Sequence, residues 1–459
     1  MSTTSHPDAE PREIGSRLEL FVDEWLIDRL EGASLRIHSP VAREVVMTFE
    51  KPWEGNTCGY FSFFKDGDIF RAYYRGCHFD WKSRRITHEV ACYAESKDGI
   101  NWVKPNLGLF EFEGSSDNNI VWMGAHNFTP FKDENPACPE DSRYKAIASC
   151  EGGLMVYGSP DGIHWRELAS GPVITEGAFD SQNLAFWDPL KKRYVEFHRA
   201  FRDGRRDIMT CFSSDFIHWS KPVFLDYDGG PLHHLYTNAV RPYFRAPHIY
   251  LGFPKRFLPE RKKVPDHPYD GLSDCVLMTS RDGLSWRIWQ DAFLRPGPQR
   301  ERWWERNNMA SWGMLVTKSP LEGAPDEISM YFNEAYYTDD LKLRRFTIRM
   351  DGFVSVNAPY SGGELLTRPL VFSGSELVLN YSTSAAGSIL VEVADRDGVP
   401  MKGFEVESCD EIYGDELEGV VSWRGKTDLS SLQGQPVRLR FLLRDADLYS
   451  LRFRSRGEG

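Results

Sequence analysis

A seven-residue phrase, Ser-x-Asp-x-x-x-Trp, occurs four times in the chain: SKDGINW at 96–102, SPDGIHW at 159–165, SSDFIHW at 213–219 and SRDGLSW at 280–286. A degenerate fifth copy, RMDGFVS, puts Asp351 in register with Asp98, Asp161, Asp215 and Asp282. These aspartates lie 54 to 69 residues apart, room for four short strands and their loops. A repeat of that period decides the architecture before single elements do.

The segments ahead of each copy match as well. An apolar, β-rich stretch leads into the phrase: EVACYAES, GLMVYGS, DIMTCFSS, CVLMTS and RRFTIRM. One strand earlier come IFRAYYRG, RYKAIASC, RYVEFHRA, HIYLGFPKRF and ISMYFNEAYY, and before those GYFSFFKDG, NFTPFKDEN, NLAFWDP, NAVRPYFRAP and NMASWGMLV. Each unit reads as three strands, an Asp-Gly turn, a Trp and a weaker outer strand such as PVFLD. Radial repetition of four-stranded antiparallel sheets limits exposed edges. The expected fold is therefore all-β: a five-bladed β-propeller over residues 17–358, after a disordered tail at 1–16. LELFVDEWLID (18–28) is expected to pair into the last blade and close the ring. Residues 359–459 lack the phrase but keep short alternating strands, such as VRLRFLL at 437–443, and read as a β-sandwich.

Composition narrows the function. With 459 residues, 41% of them hydrophobic, the chain can bury a large core. A net charge of −12 without a basic run argues against nucleic acid or an anionic membrane as partner. The eight cysteines form no Cys-x-x-Cys pair, so neither a zinc ribbon nor a disulfide scaffold is expected. The polar N-terminus lacks an apolar signal core, which favours a cytoplasmic location.

In such a ring, the inner-strand starts and the returning second strands share one face. The starts carry Trp53, Glu54, Asn56, Asn127, Asp180, Asn183, His234, Asn238, Trp304, Glu305, Arg306 and Asn307, with Arg241 close by. The returning strands add Arg75, His198, Lys255, Arg256 and Glu334. Amides, charged groups and rings are the materials of a carbohydrate site. Glycosidic cleavage needs two carboxyl groups across the bond, and the candidates are Asp180, Glu334, Glu54 and Glu305. Asp188 falls in a turn on the opposite face. The alternative role for the Asn series is to satisfy backbone groups at strand entrances, and His164 and His218 inside the phrase read as structural. No cofactor is required; His234 and the Asn series leave room for a structural metal at the axis, without a firm ligand set.

SSDFIHW and SPDGIHW resemble the Ser-x-Asp-Leu-x-x-Trp phrase of the five-bladed glycosidases of families 32, 43, 62 and 68, and the trailing sandwich resembles the family 32 layout. The resemblance implies a glycoside hydrolase with an acidic triad in the propeller funnel. The Asn-Asp-Pro, Arg-Asp-Pro and Glu-Cys triplets of family 32 are absent, which points to a divergent branch. FDSQNLAFWDP resembles the Arg-Asp-Pro strand, with Asp180 displaced by two residues, and WEGNTCGYF resembles the first-blade strand, with Glu54 or Asn56 in place of an Asp. A glycoside phosphorylase using Arg241, Lys255 and Arg256 for phosphate, and a non-catalytic carbohydrate-binding propeller, are the competing functions.

Overall fold

The computed structural model describes residues 10–457. Contacts divide the chain into two compact units, Ser39–Ile348 and the described residues up to His38 together with those from Arg349 onward. Both are built of strands; helical structure among the described residues is confined to short 3-10 turns such as Glu140–Ser142 and Arg300–Trp303.

Ser39–Ile348 holds five separate antiparallel-based sheets. The first runs Gly59–Asp66, Ile69–Asp80, Arg85–Ser96, with Ile120–Met123 and Trp102–Val103 both on its outer side. The second is His126–Lys132, Tyr144–Cys150, Gly153–Ser159, Arg166–Glu167, and the third Leu184–Asp188, Arg193–Arg202, Arg205–Ser213, Val223–Phe224. In the fourth, the returning strand is split into Ala246–Gly252 and Lys255–Leu258, and both halves pair with Leu272–Ser280. The fifth takes its outer strand from the start of the unit: Val41–Thr48 pairs antiparallel with Lys342–Ile348.

The sheets touch in a closed cycle. Tyr194 of the third sheet donates to Asp133 beyond the second at 2.7 Å, and Lys191 of the third reaches the Asp282 carbonyl of the fourth at 2.7 Å. Trp312 Nε1, at the head of the fifth, donates to Val240 O at 2.8 Å, while Phe63 N of the first donates to Trp312 O at 2.8 Å. The first packs on the second through Gly59–Asp66 and His126–Lys132. That cycle is a β-propeller arrangement. Because the sheets are packed on both faces, strands stay buried over consecutive residues: in YKAIASC, Tyr144 to Ser149 are all buried, with Lys145 paired to Asp133.

The recurring phrase supplies the links. In SPDGIHW, the Ser159 hydroxyl accepts from Gly162 N, and Asp161 Oδ1 accepts from Ile163 N and His164 N, both at 2.8 Å. The same bonds recur around Asp98, Asp215 and Asp282. The turn thus presents the carbonyl of its third or fourth residue to the preceding sheet: Tyr73 Oη donates to Gly162 O at 2.8 Å, and Tyr331 Oη to Gly99 O at 2.6 Å. The tryptophans follow, Trp165 lying edge-on to Tyr73 and Trp286 to Phe197. Phe216 takes the glycine position in the third copy, at φ 71°, and packs its ring on Phe131 of the second sheet. His164 and His218 bond their own Asp161 and Asp215, a structural role.

Three expectations change. The ring-closing strand is Val41–Thr48, not 18–28: Glu19–Leu20 pairs with Val437–Arg454 and Ile27–Glu31 with Gly363–Thr367. The boundaries expected at 17 and 358 fall at 38/39 and 348/349, because the N-terminal strands are completed by C-terminal ones. Of the tail expected at 1–16, residues 1–9 lie outside the described residues, while Arg12–Gly15 is a strand beside Leu370–Phe372. Asp351 belongs to this second unit, in a turn closed by Gly352 N on Arg349 O at 2.9 Å, and accepts from Asn380 and Ser450. Ten strands of the second unit join in one hydrogen-bonded sheet. Val437, Leu439, Phe441 and Leu443 alternate into its core beside Val391, Val393 and Trp423.

Burial alone would raise the phrase carboxyls, but the N–H groups they accept from outweigh it and hold Asp98 and Asp161 down at about 2. A lowered carboxyl contributes stability above its unfolded value of 3.8 that is lost as pH falls toward 2. Asp161→Ala should cost about 1–3 kcal/mol in a urea titration at neutral pH, with the difference from the parent narrowing below pH 4. Gly162→Ala should cost more, since its Cβ would lie 2.6 Å from Tyr73 Oη at a φ of +78°.

Candidate functional site

Strained backbone gathers at one end of the ring, besides isolated turn residues such as Lys192 and Phe216. Tyr60, Asn127, Ala239, Arg306, Asn308 and Tyr337 all hold left-handed φ values, from 42° to 74°, at strand starts or at the turn after Glu334. Non-glycine residues there cost of order 1 kcal/mol each, and such strain gathers at functional sites.

Two of them, Arg306 and Tyr337, line a cavity of about 480 Å³, and Tyr60 and Asn127 contact its Arg75. Phe79, Phe257, Tyr269 and Tyr337 give it aromatic walls; Glu305 and Asp270 are its carboxylates, and Arg75, Arg84 and Arg306 its cations. Arg75 is fixed by three hydrogen bonds, from Nη1 to Asn127 Oδ1 at 3.1 Å and from Nη2 to Thr57 O at 3.1 Å and Tyr336 Oη at 2.6 Å. Its guanidinium stacks 4.6 Å from the Tyr60 ring. Arg306 Nε meets Glu305 Oε1 at 3.1 Å, and Lys255 Nζ lies 3.9 Å from the same oxygen. Asn307, wholly buried, accepts from Tyr336 N and so ties the Glu305 loop to the turn after Glu334.

Lys255 is fully buried and its amine makes no hydrogen bond. It is lowered from 10.5 to about 7, chiefly by burial and further by Arg306, Arg206 and Arg199, against the opposing pull of Glu305.

The remaining sequence candidates divide by their partners. Glu54 is completely buried, accepting from Lys51 N and Tyr74 Oη and paired with Lys104, so it is a structural carboxylate. Glu334 accepts from Arg344 Nε at 2.9 Å, with Arg302 at 3.6 Å, and does not line the cavity. Asp180, 69% exposed and paired with the buried Arg199, lines a different depression with His126 and Phe179. His198 is buried on Glu196 at 2.7 Å. Three of the amides do serve backbone: Asn56 brackets Phe79, Asn183 donates to Phe179 O and Ser181 O, and Asn238 reaches Phe197 O. Trp53 donates to Asn119, Arg256 is bidentate on Asp274, and Trp304 stacks on His267. His234 meets Arg206 rather than an axial ligand set, and no group of three His, Cys, Asp or Glu gathers among the described residues. Arg241 lines a different cavity, of about 420 Å³, with Phe63, Phe186, Tyr243 and Trp312.

Sequence reasoning brought Glu305, Arg306 and Arg75 to this cavity and missed Asp270, Arg84, Tyr269, Tyr337 and Tyr60. Tyr336 and Tyr337 could have been found, since they directly follow the Glu334 strand that was singled out. Asp270 lies in a long insertion within the fourth sheet, where the repeat offers no register.

No family model matches the chain. A stretch of 89 residues is 37% identical to exodeoxyribonuclease I of Buchnera aphidicola subsp. Acyrthosiphon pisum (strain APS), covering 16% of this chain and 22% of that protein. The chain thus spans less than a quarter of that curated relative. Among solved structures it is similar to a glycosyl hydrolase from Bacteroides ovatus, at 14% identity and TM-score 0.45 over 68% of this chain and 94% of that one. An α-L-arabinofuranosidase from Podospora anserina in complex with cellotriose gives 8% identity and TM-score 0.43, over 68% and 96%. An N-acetylgalactosamine deacetylase from F. plautii, in complex with blood group B trisaccharide, gives 14% and 0.43, over 69% and 95%. At such identities and TM-scores, chemistry has to be argued from the chain's own residues. No helix among the described residues is long and apolar enough to cross a membrane.

A lysine lowered in the folded state destabilises the fold at neutral pH, and the penalty disappears as pH rises from about 7 toward 10.5, where the unfolded chain also loses the proton. Lys255→Met should therefore melt above the parent at pH 7, by about 2 °C or more per kcal/mol recovered. The gap should close by pH 10; a gap constant with pH in calorimetry would contradict the assignment.

Proposed function

We propose that the chain cleaves glycosidic bonds of a carbohydrate bound in the 480 Å³ cavity. The reading takes the five sheets as five propeller blades and the ten-stranded unit as an accessory sandwich. The observation that carries it is the position of Glu305: of the four carboxylates singled out in the sequence, it alone lines this cavity, with its aromatic walls and guanidinium groups. Rings stack on sugar faces, while amide and guanidinium donors bond the hydroxyls.

Arg306 and Lys255 pair with Glu305 from its own side. This suits the anionic half of a carboxyl pair, which either bonds the anomeric carbon or takes a proton from the attacking water. Asp270, the other carboxyl on the wall, 71% exposed and 3.0 Å from Lys262, is the candidate donor of a proton to the departing glycosidic oxygen as the C–O bond breaks. Arg75, pinned by Asn127, Thr57 and Tyr336, orients the sugar beside them.

A panel of aryl glycosides and oligosaccharides tests the reading. Glu305→Gln should lower kcat by about 10²–10⁴-fold in a protein that still folds, Asp270→Asn should lower it for substrates with poor leaving groups, and Glu54→Gln should act through stability. No turnover of any glycoside, or full turnover by Glu305→Gln, would reject it.

A further inference from the structure

The Tyr236 ring, 4% exposed, is encircled by cations. Lys255 Nζ lies 4.0 Å from its centroid, and the guanidinium carbons of Arg199, Arg206 and Arg306 lie at 4.9, 5.2 and 5.8 Å. Two carboxylates answer these four charges, Glu305 on Arg306 and Lys255, and the exposed Asp180 on Arg199. Several donors in the group are buried without an acceptor: Lys255 Nζ, Arg199 Nε and Nη1, and Arg206 Nε. Arg75 and Arg84 add two more cations on the cavity wall. This surplus stands in a chain of net charge −12, so composition does not produce it. Buried charge left uncompensated is costly, and an arriving anion offsets the cost.

We propose that this cluster binds an oxyanion, carried either on the sugar, as a uronate carboxylate or a sulfate or phosphate ester, or by free phosphate acting as co-substrate. The inference builds on the cavity as a sugar site but concerns binding alone. Arginine forks and an ammonium are suited to the oxygens of such groups. Lys255 gives the site a second signature. Facing Glu305, Arg306, Arg206 and Arg199, with Tyr236 and Phe257 against its amine and His234 beyond Arg206, it is poised near neutrality. A new negative charge beside it draws a proton onto the amine, so anion binding above neutral pH is coupled to proton uptake.

Calorimetric titration of the full chain at about pH 8, in two buffers of different ionisation enthalpy, reads both quantities without turnover. Inorganic sulfate, inorganic phosphate, D-glucuronate and D-glucose are the probes. The expected result is that at least one of the anions binds about tenfold more tightly than glucose and takes up a fraction of one proton. Tightest binding of glucuronate assigns the anion to the sugar; tightest binding of phosphate assigns it to a co-substrate. Lys255→Met should abolish the proton uptake, and the half-buried Arg306→Gln should weaken the anion by about tenfold, a larger loss than it causes for glucose. Anions no tighter than glucose, or anion binding indifferent to both substitutions, would overturn the proposal. Absence of glycosidase activity would leave it standing, since no step of the titration requires bond cleavage.

Discussion

The contact on which the propeller depends is a hydrogen bond from one sheet to a turn carbonyl of the next. Tyr331 to Gly99 O, Tyr73 to Gly162 O and Lys191 to Asp282 O are three versions of it, at 2.6 to 2.8 Å. A carbonyl can be offered outward in this way only if the rest of its turn is satisfied internally, and that is the work of the Ser hydroxyl and the Asp carboxylate in every copy. The conserved chemistry of the phrase is therefore directed at the neighbouring sheet. Where the third copy replaces glycine with Phe216, the polar link gives way to ring packing on Phe131. The sheet-to-sheet position is retained by a different force.

A ring locked at its periphery can tolerate strain at its mouth. The left-handed residues Tyr60, Asn127, Arg306 and Tyr337 sit where inner strands begin or second strands end, far in sequence from the phrase turns. Each directs a side chain toward Arg75 or Glu305, or belongs to the loop that holds them. Relaxed backbones at these positions would aim the same side chains elsewhere, so the strain is tied to the geometry of the cavity. The peripheral links and the buried sheet faces supply the stability against which it is set.

Much of the fold was legible because its period was written in residues with a mechanism. Ser, Asp and Trp at fixed offsets mark a turn, and counting back from it located strands such as Gly59–Asp66 and Leu184–Asp188. Ring closure was not legible, since LELFVDEWLID and VAREVVMT are both good strands and only their distant partners separate them. The site was legible in part for the same reason. Glu54, Glu334 and Glu305 have similar local surroundings in sequence, yet Lys104, Arg344 and the cavity respectively decide what each does. Asp270 had no marker at all, because the insertion carrying it breaks the repeat.

The electrostatics of the site run against those of the whole molecule, and this bears on what it can recognise. At net −12 the chain repels anions at long range, so the cations around Tyr236 act only within a short distance of the mouth, where low dielectric strengthens them and bulk salt screens them least. A neutral sugar would gain hydrogen bonds there but leave the surplus charge in place. A sugar bearing an acid, or one cleaved with the help of phosphate, relieves it. Glu305 is the counter-ion to Lys255 and Arg306. Under the proposed function it would also be the reacting carboxylate, and an anion on the substrate would then do more than add affinity. It would take over that pairing and release the carboxylate from its cations.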